Sequence, residues 1–469
     1  MKSDDKSIRV DPDLRTVLCA VNARTLAPTV SLATANTQLR WHGSGAVSWI
    51  IDCPEPVRVS PFLCCAVDAD QITYKLTIAG RSMVGRISAT MGYFDEGQLM
   101  NFERVAVQAD VELPAGRSTA VLEIIDCPPN SVAVSSVELA RQEVVAREHA
   151  IGDRLRDTHK SASFLTPYGL MFHWTSQSAP RSGPVLPYRE AVQSFDVESF
   201  ASMVAETGAG WVMLTANHAE PSFPAPIESW ESLYPGWTTQ RDLVAELVDA
   251  LAKQGVRLFL YINTFAAYIR SDRFRNRDDT TEYSNDRRMA PECAEDYLET
   301  TVATLKEVGG RYGPDLAGYW FDSWYQPFMH FGSFPMEPVF RAAKEGNEDR
   351  LVTFNWWILP TGTPWVDYWA GEVAGLTTVP SQQPPQYGPG AGIPHHTLLI
   401  MDDPWVHSDI DAPISEPRLE YALLADHVRR SAKVNAPVTI NLGIYQDGGV
   451  GPRSLDMLRR LRRAVAAAQ

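Results

Sequence analysis

The stretch Leu316-Ala317-Gly318-Tyr319-Trp320-Phe321-Asp322-Ser323-Trp324 decides how this chain is read, because an apolar run of strand length ends abruptly on a carboxylate followed by an indole. Such a run reads as a strand buried on both faces, as in parallel sheets covered by helices. In a barrel of parallel strands, chemistry collects at the C-terminal strand ends. A carboxylate there is either an active-site group or a costly burial. Trp320 and Trp324, on either side of it, offer flat apolar faces suited to a sugar ring.

Seven further short apolar runs repeat the pattern: Leu170-Phe172, Trp211-Leu214, Arg257-Tyr261, Leu351-Phe354, Val366-Trp369, Thr397-Ile400 and Pro437-Ile440. Helical spacing falls between several of them, at 290 to 310, 416 to 434 and 452 to 467, and most clearly over Thr239 to Gln254. There Leu243, Val244, Leu247, Val248 and Leu251 form one apolar face. Thr239 and Asp242 read as a capping box, and Gly255 as the terminator. Eight strands alternating with helices over residues 163–469 predict an α/β catalytic domain of the TIM (β/α)8-barrel type.

The first third has another rhythm. Short alternating runs such as Tyr74-Ile78, Val105-Val111 and Ala120-Ile124, punctuated by Pro and Gly, predict a β-sandwich over residues 1–145. The charged stretch 146–162 reads as the linker. Five of the six cysteines (Cys19, Cys53, Cys64, Cys65, Cys127) lie in the sandwich and Cys293 lies beyond it. They form no CxxC pair and no zinc spacing, so free thiols in strands are expected.

With 469 residues, 45% apolar and 21% charged, the chain can bury a large core, and a formal charge of −15 disfavours nucleic acid or an anionic membrane as partner. Its polar start and the lack of a long apolar run point to a cytoplasmic protein. The sequence leaves a homo-oligomer open.

Polar and aromatic residues stand just after the strands: His173 and Trp174, Asn217 and His218, Tyr261 and Asn263, Asp322 and Trp324, Asn355 and Trp356, Glu372, Asp402, Asp403 and Trp405, and His396, just ahead of the run Thr397-Ile400, is a further expected substrate contact. Together they predict a carbohydrate pocket. Glycoside cleavage needs two carboxyl groups, about 5 Å apart in a retaining enzyme. Asp322 is the expected nucleophile and Glu372 the expected acid/base. No cofactor or metal is required: His395 and His396, adjacent on an extended chain, point to opposite sides, so a shared ion with Asp402 and Asp403 is disfavoured.

These residues resemble the α-L-fucosidases, glycoside hydrolase family 29, over roughly residues 164 to 467. Tyr168-Gly169-Leu170-Met171-Phe172-His173-Trp174 is similar to that family's first-strand motif with its sugar-binding histidine, and Leu214-Thr215-Ala216-Asn217-His218 to its second. Gln240-Arg241-Asp242-Leu243-Val244 resembles the helix start that follows, Gly318-Tyr319-Trp320-Phe321-Asp322 the nucleophile strand, and Thr439-Ile440-Asn441-Leu442-Gly443 with Asp447-Gly448 the last strand and turn. The resemblance implies a metal-free, retaining exo-glycosidase acting on an oligosaccharide or small glycoside. The chain also departs from the pattern. His218-Ala219-Glu220-Pro221 stands where the family has two adjacent histidines, His395-His396 stands where many members have Trp-Glu, and the sandwich precedes the barrel. Three readings therefore stay open: a fucosidase-like enzyme, the same mechanism on another α-linked terminal sugar, and a non-catalytic carbohydrate-binding protein on the same fold.

Overall fold

The run Leu316–Phe321 is a strand of an all-parallel, seven-stranded sheet. The sheet runs in the order Leu351–Phe354, Leu316–Phe321, Arg257–Ile262, Trp211–Asn217, Tyr168–Phe172, Val438–Leu442, Thr397–Ile400. The computed structural model describes residues 7–33, 37–90, 93–95, 98–159, 168–218, 220–263, 273–274, 289, 291–372, 393–403 and 405–466. Five of the six residues in Leu316–Phe321 are buried, as expected of a strand covered on both faces. Gly318 is required there, since a Cβ would stand 2.1 Å from the Phe259 ring.

Alternate side chains divide the sheet into two faces. Tyr319, Phe321, Leu258, Leu260, Val212 and Leu214 pack outward into the large core shared with the helices. Met171, Trp211, Met213, Phe259, Tyr261 and Trp320 form a smaller inner cluster. Leu351 and Leu398, from the two edge strands, join that same inner cluster, so the sheet curls upon itself.

The expected eighth strand, Val366-Trp369, is not a strand. Its segment does link the two edges, through Asp367 N to Val352 O (2.8 Å), Trp369 N to Pro394 O (2.9 Å) and Leu398 N to Gly371 O (2.9 Å). Side chains replace the missing ladder. The Asp367 carboxylate accepts the Val352 N–H (2.7 Å) and the Lys344 ammonium (2.7 Å), and Thr353 Oγ1 donates to Tyr368 O (2.6 Å). Gly371, at φ 65°, turns the chain so tightly that a Cβ would lie 1.9 Å from His396 O. The apolar pattern of residues 366–369 therefore reported burial without a ladder.

Helices cover the outer face. Leu243–Lys253 carries the anticipated apolar stripe, and Gly255 follows it at φ 71°. Each of its buried leucines and valines contributes on the order of 1.5–3 kcal/mol. The start differs from the expected capping box: Asp242 is the N-cap, accepting from Ala245 N at 3.0 Å, whereas the Thr239 hydroxyl donates to Arg241 O. Ala294–Tyr312, Tyr421–Lys433 and Pro452–Ala466 supply the other helices anticipated from spacing.

Residues 8–140 form two larger sheets, one of six strands and one of seven, and a two-stranded hairpin of Tyr93–Asp95 and Gln98–Met100. Trp49, Leu76 and Leu122 of the first meet Trp41, Leu63 and Val134 of the second in one apolar cluster. The similar pentapeptides Ile50-Ile51-Asp52-Cys53-Pro54 and Ile124-Ile125-Asp126-Cys127-Pro128 close opposite ends of one antiparallel pair, in which Cys53 faces Gly116 and Ile124 faces Gly45. The charged helix Gln142–His159 follows. All six cysteines are free.

Candidate active site

The ladder delivers Asp322. Its N–H donates to Ile262 O (3.0 Å), and Asn355 N donates to Phe321 O (2.7 Å), so three neighbouring strands end level with one another. Ser323 then turns at φ 62°. A left-handed residue other than glycine costs roughly 1–2 kcal/mol, and such strain gathers where geometry is over-determined. Trp357 and Trp405 share that conformation at the same end of the sheet.

Four donors converge on the Asp322 carboxylate. Tyr261 OH (2.6 Å), Asn263 Nδ2 (2.9 Å) and Ser323 Oγ (3.2 Å) reach Oδ2, and Asn355 Nδ2 reaches Oδ1 at 2.8 Å. The same Asn355 nitrogen donates its second hydrogen to Glu372 Oε2. Its orientation is set from the other side, where Asn355 Oδ1 accepts the Trp357 N–H at 2.9 Å. One amide nitrogen therefore bridges Asp322 and Glu372, which keeps their nearest oxygens within about 6 Å, twice a hydrogen-bond length.

The two acids differ in environment. Burial, and then the negative charge of Asp322, push the Glu372 carboxyl up to about 8, against the lowering effect of the Asn355 bond. Glu372 is thus a protonated acid at neutral pH. Burial and Asp322 also hold the Tyr261 phenol well above its usual range, so it remains a donor.

His173 completes one wall. Its Nδ1 bonds Asn441 Oδ1 at 2.8 Å, which makes Nδ1 the protonated nitrogen and leaves Nε2 as an acceptor. Burial holds the ring neutral, down to about 3, and the neighbouring His218 adds to this. Rings of Tyr261 (4.9 Å), Trp405 (5.0 Å) and His218 (5.5 Å) surround it. His218 is likewise lowered by burial, opposed by Asp322. On the second-strand loop, Glu220 accepts from Ser176 Oγ on the first.

Asp322, Glu372, Asn355, Asn263, Tyr261, His173, His218 and Trp405 are thus brought together. Other expected contacts are not. Trp174 packs on Phe195 and Tyr188 and donates to Gln446 O, inside the core. Trp324 is buried against Phe354 and Phe334, and Trp356 against Phe328. Trp320 lies flat beneath Tyr261 at 5.3 Å, so the stacking face expected of it is covered. His396 spends both nitrogens on structure: Nδ1 donates to Ala370 O (2.8 Å) and Nε2 accepts from Thr439 Oγ1 (2.7 Å). Asn217 likewise holds the backbone of Asn263 with both ends of its amide. Asp402 and Asp403 accept loop amides, from Gly443 and Ser415 among others.

Two participants were missed. Asn441, which orients His173, is a polar residue inside the buried strand Val438–Leu442, the same signal that marked Asp322. Tyr325 lies close enough for Asp322 and Glu372 to add to the upward push of burial on its phenol, but nothing in the loop sequence marks it.

Residues 189–357 match the sequence model of the family described as Alpha-L-fucosidase. The chain resembles the α-L-fucosidases, as a divergent relative. The matched segment contains Asp322 and Asn355, and Glu372 lies beyond it. Among solved structures, an unliganded α-L-fucosidase, AlfC from Lactobacillus casei, is 16% identical with a TM-score of 0.44, over 67% of this chain and 99% of that one. An α-L-fucosidase from Bacteroides thetaiotaomicron is 17% identical with a TM-score of 0.44, over 65% of this chain and 72% of that one. An endo-fucoidan hydrolase of glycoside hydrolase family 107 is 13% identical with a TM-score of 0.49, over 64% and 63%. No curated protein matches the chain. The family match supports a glycoside hydrolase. Among the described residues no helix is long and apolar enough to cross a membrane.

Proposed function

We propose that the chain is a retaining exo-α-glycosidase that removes a terminal α-linked sugar, with fucose as the first candidate. The observation that carries this reading is the single Asn355 nitrogen shared by two carboxyl groups, one of them held protonated near neutral pH. Asp322, oriented by Tyr261, Asn263 and Asn355, attacks the anomeric carbon as the C–O bond to the leaving group breaks. Glu372 gives its proton to the departing oxygen, then takes one from the water that cleaves the glycosyl ester. A separation within about 6 Å suits direct attack and leaves too little room for the intervening water of an inverting enzyme. Neutral His173, with Nε2 free to accept, and the faces of His218 and Trp405 are assigned to the sugar hydroxyls and ring.

Glu220, on the second-strand loop where the family carries a histidine and bonded there by Ser176, favours a second reading in which the same chemistry acts on a different terminal sugar. The deciding experiment is a panel of nitrophenyl α-glycosides, followed by azide rescue of Asp322→Ala. Release of nitrophenol from the fucoside and a β-configured glycosyl azide are expected. Hydrolysis of a different glycoside alone selects the second reading, and measurable sugar binding without turnover on any glycoside refutes the enzyme.

A further inference from the structure

The N-terminal sheets touch the segments that leave the site. The helix Gln326–Phe331 begins three residues after Ser323, and its far end is held from the sandwich side: Asn22 Nδ2 donates to Met329 O (2.9 Å) and Val17 N to Gly332 O (2.7 Å). The loop that follows Asn355 is held as well. Trp356 and Leu359 share one apolar core with Val17, Cys64 and Phe102, and Arg104 Nη1 lies 3.5 Å from Thr361 O. Arg104 itself is fixed by the buried Glu138 (2.7 Å), which also binds Arg15 (3.0 Å). The two segments meet where Trp324 N donates to Asn355 O at 3.0 Å, directly behind the amide that bridges the acids.

We propose that the sandwich is a positioning element of the reaction: Asn22 and Arg104 hold the two segments that keep Asn355 in register with Asp322 and Glu372. This rests on the reading of those acids given above. A catalytic constellation tolerates displacements of only about 0.5 Å, and strand-end loops without such a support do not reach that precision. The Asn355 bond favours the ionised form of Glu372, so a loosened Asn355 leaves the acid holding its proton to higher pH.

The test measures pH profiles of kcat/KM for the full chain with Asn22→Ala and Arg104→Lys, the latter keeping the charge beside Glu138 but losing the guanidinium fork. Both variants are expected to lower kcat roughly 3–10-fold and to move the basic limb upward by roughly half a pH unit. A lowered Tm with both limbs unmoved overturns the proposal, because a domain that only adds stability changes the active fraction and not the profile. If Arg104→Lys does not fold, Asn22→Ala, which removes the half-buried hydrogen bond to Met329 O, decides alone. A wild-type limb that survives Glu372→Gln would instead refute the assignment of the acid, and the proposal falls with it.

Discussion

Asp322 and Glu372 stand at the ends of two differently built segments. The first closes a strand whose neighbours on both sides are hydrogen-bonded in register. The second ends a stretch with no ladder, suspended between two edge strands by three backbone bonds and by the side chains of Asp367, Thr353 and His396. Ladder bonds fix a position by backbone alone, so the Asp322 carboxylate is left to accept from four side-chain donors. Glu372 emerges from a segment wrapped in side chains, receives one donor among the described residues, and burial raises its carboxyl toward the protonated form. The difference in scaffold becomes a difference in surroundings: four donors on the one carboxyl, and burial that raises the other, as an acid needs.

Removing either acid tests that contrast most severely. Asp322→Ala is expected to lose on the order of 10⁴-fold or more in kcat with far-UV circular dichroism unchanged, and unimpaired turnover would break the assignment. Glu372→Ala should lose about 10²–10⁴-fold on poor leaving groups and much less on activated aryl glycosides. Equal losses on both would point to another acid.

The pH dependence sharpens the comparison. With Glu372 titrating at about 8, turnover is expected to fall as pH rises through that value, and Glu372→Gln should abolish the limb. Stability follows the same sign. A carboxyl whose folded value lies above its unfolded one, near 4.3, stabilises the fold below that value, and this contribution is lost as pH rises toward the folded value. The Tm of Glu372→Gln relative to wild type should therefore climb between about pH 5 and about pH 8, and a pH-independent gap would contradict the raised proton affinity of Glu372.

A smaller effect addresses the scaffold. Thr353→Val removes the donor to Tyr368 O and is expected to cost about 1 kcal/mol, with a kcat loss greater than any change in KM. A variant as active as wild type would show that the side-chain substitutes for the ladder are dispensable. The least effect belongs to Trp174→Phe, which should leave KM unchanged because that indole lies in the core; a raised KM would return Trp174 to the sugar.

How much of this was legible follows from the same contrast. Strands such as Leu316–Phe321 and the carboxylate ending them were legible because continuous burial leaves a local signature. Val366-Trp369 carries the same signature, yet its ladder was displaced by Asp367, whose partners Lys344 and Val352 are distant in sequence. Strand-end position located the rim residues but not their direction, so Trp174, Trp324, Trp356 and His396 were placed correctly along the chain and turned wrongly in space. Asn355 was identified as a site residue, but its role as a bridge depends on three segments meeting and no spacing encodes that.

The proximity of Asp322 to the proton on Glu372 has one more consequence for the proposed reaction. While the nucleophile is an anion, its field helps its neighbour retain hydrogen. Once Asp322 becomes a glycosyl ester that field vanishes, the hold of Glu372 on a proton weakens, and the carboxyl that has just given up its hydrogen stays ionised, ready to take one from water. The change of role between the two half-reactions would then need no moving part: esterification itself throws the switch.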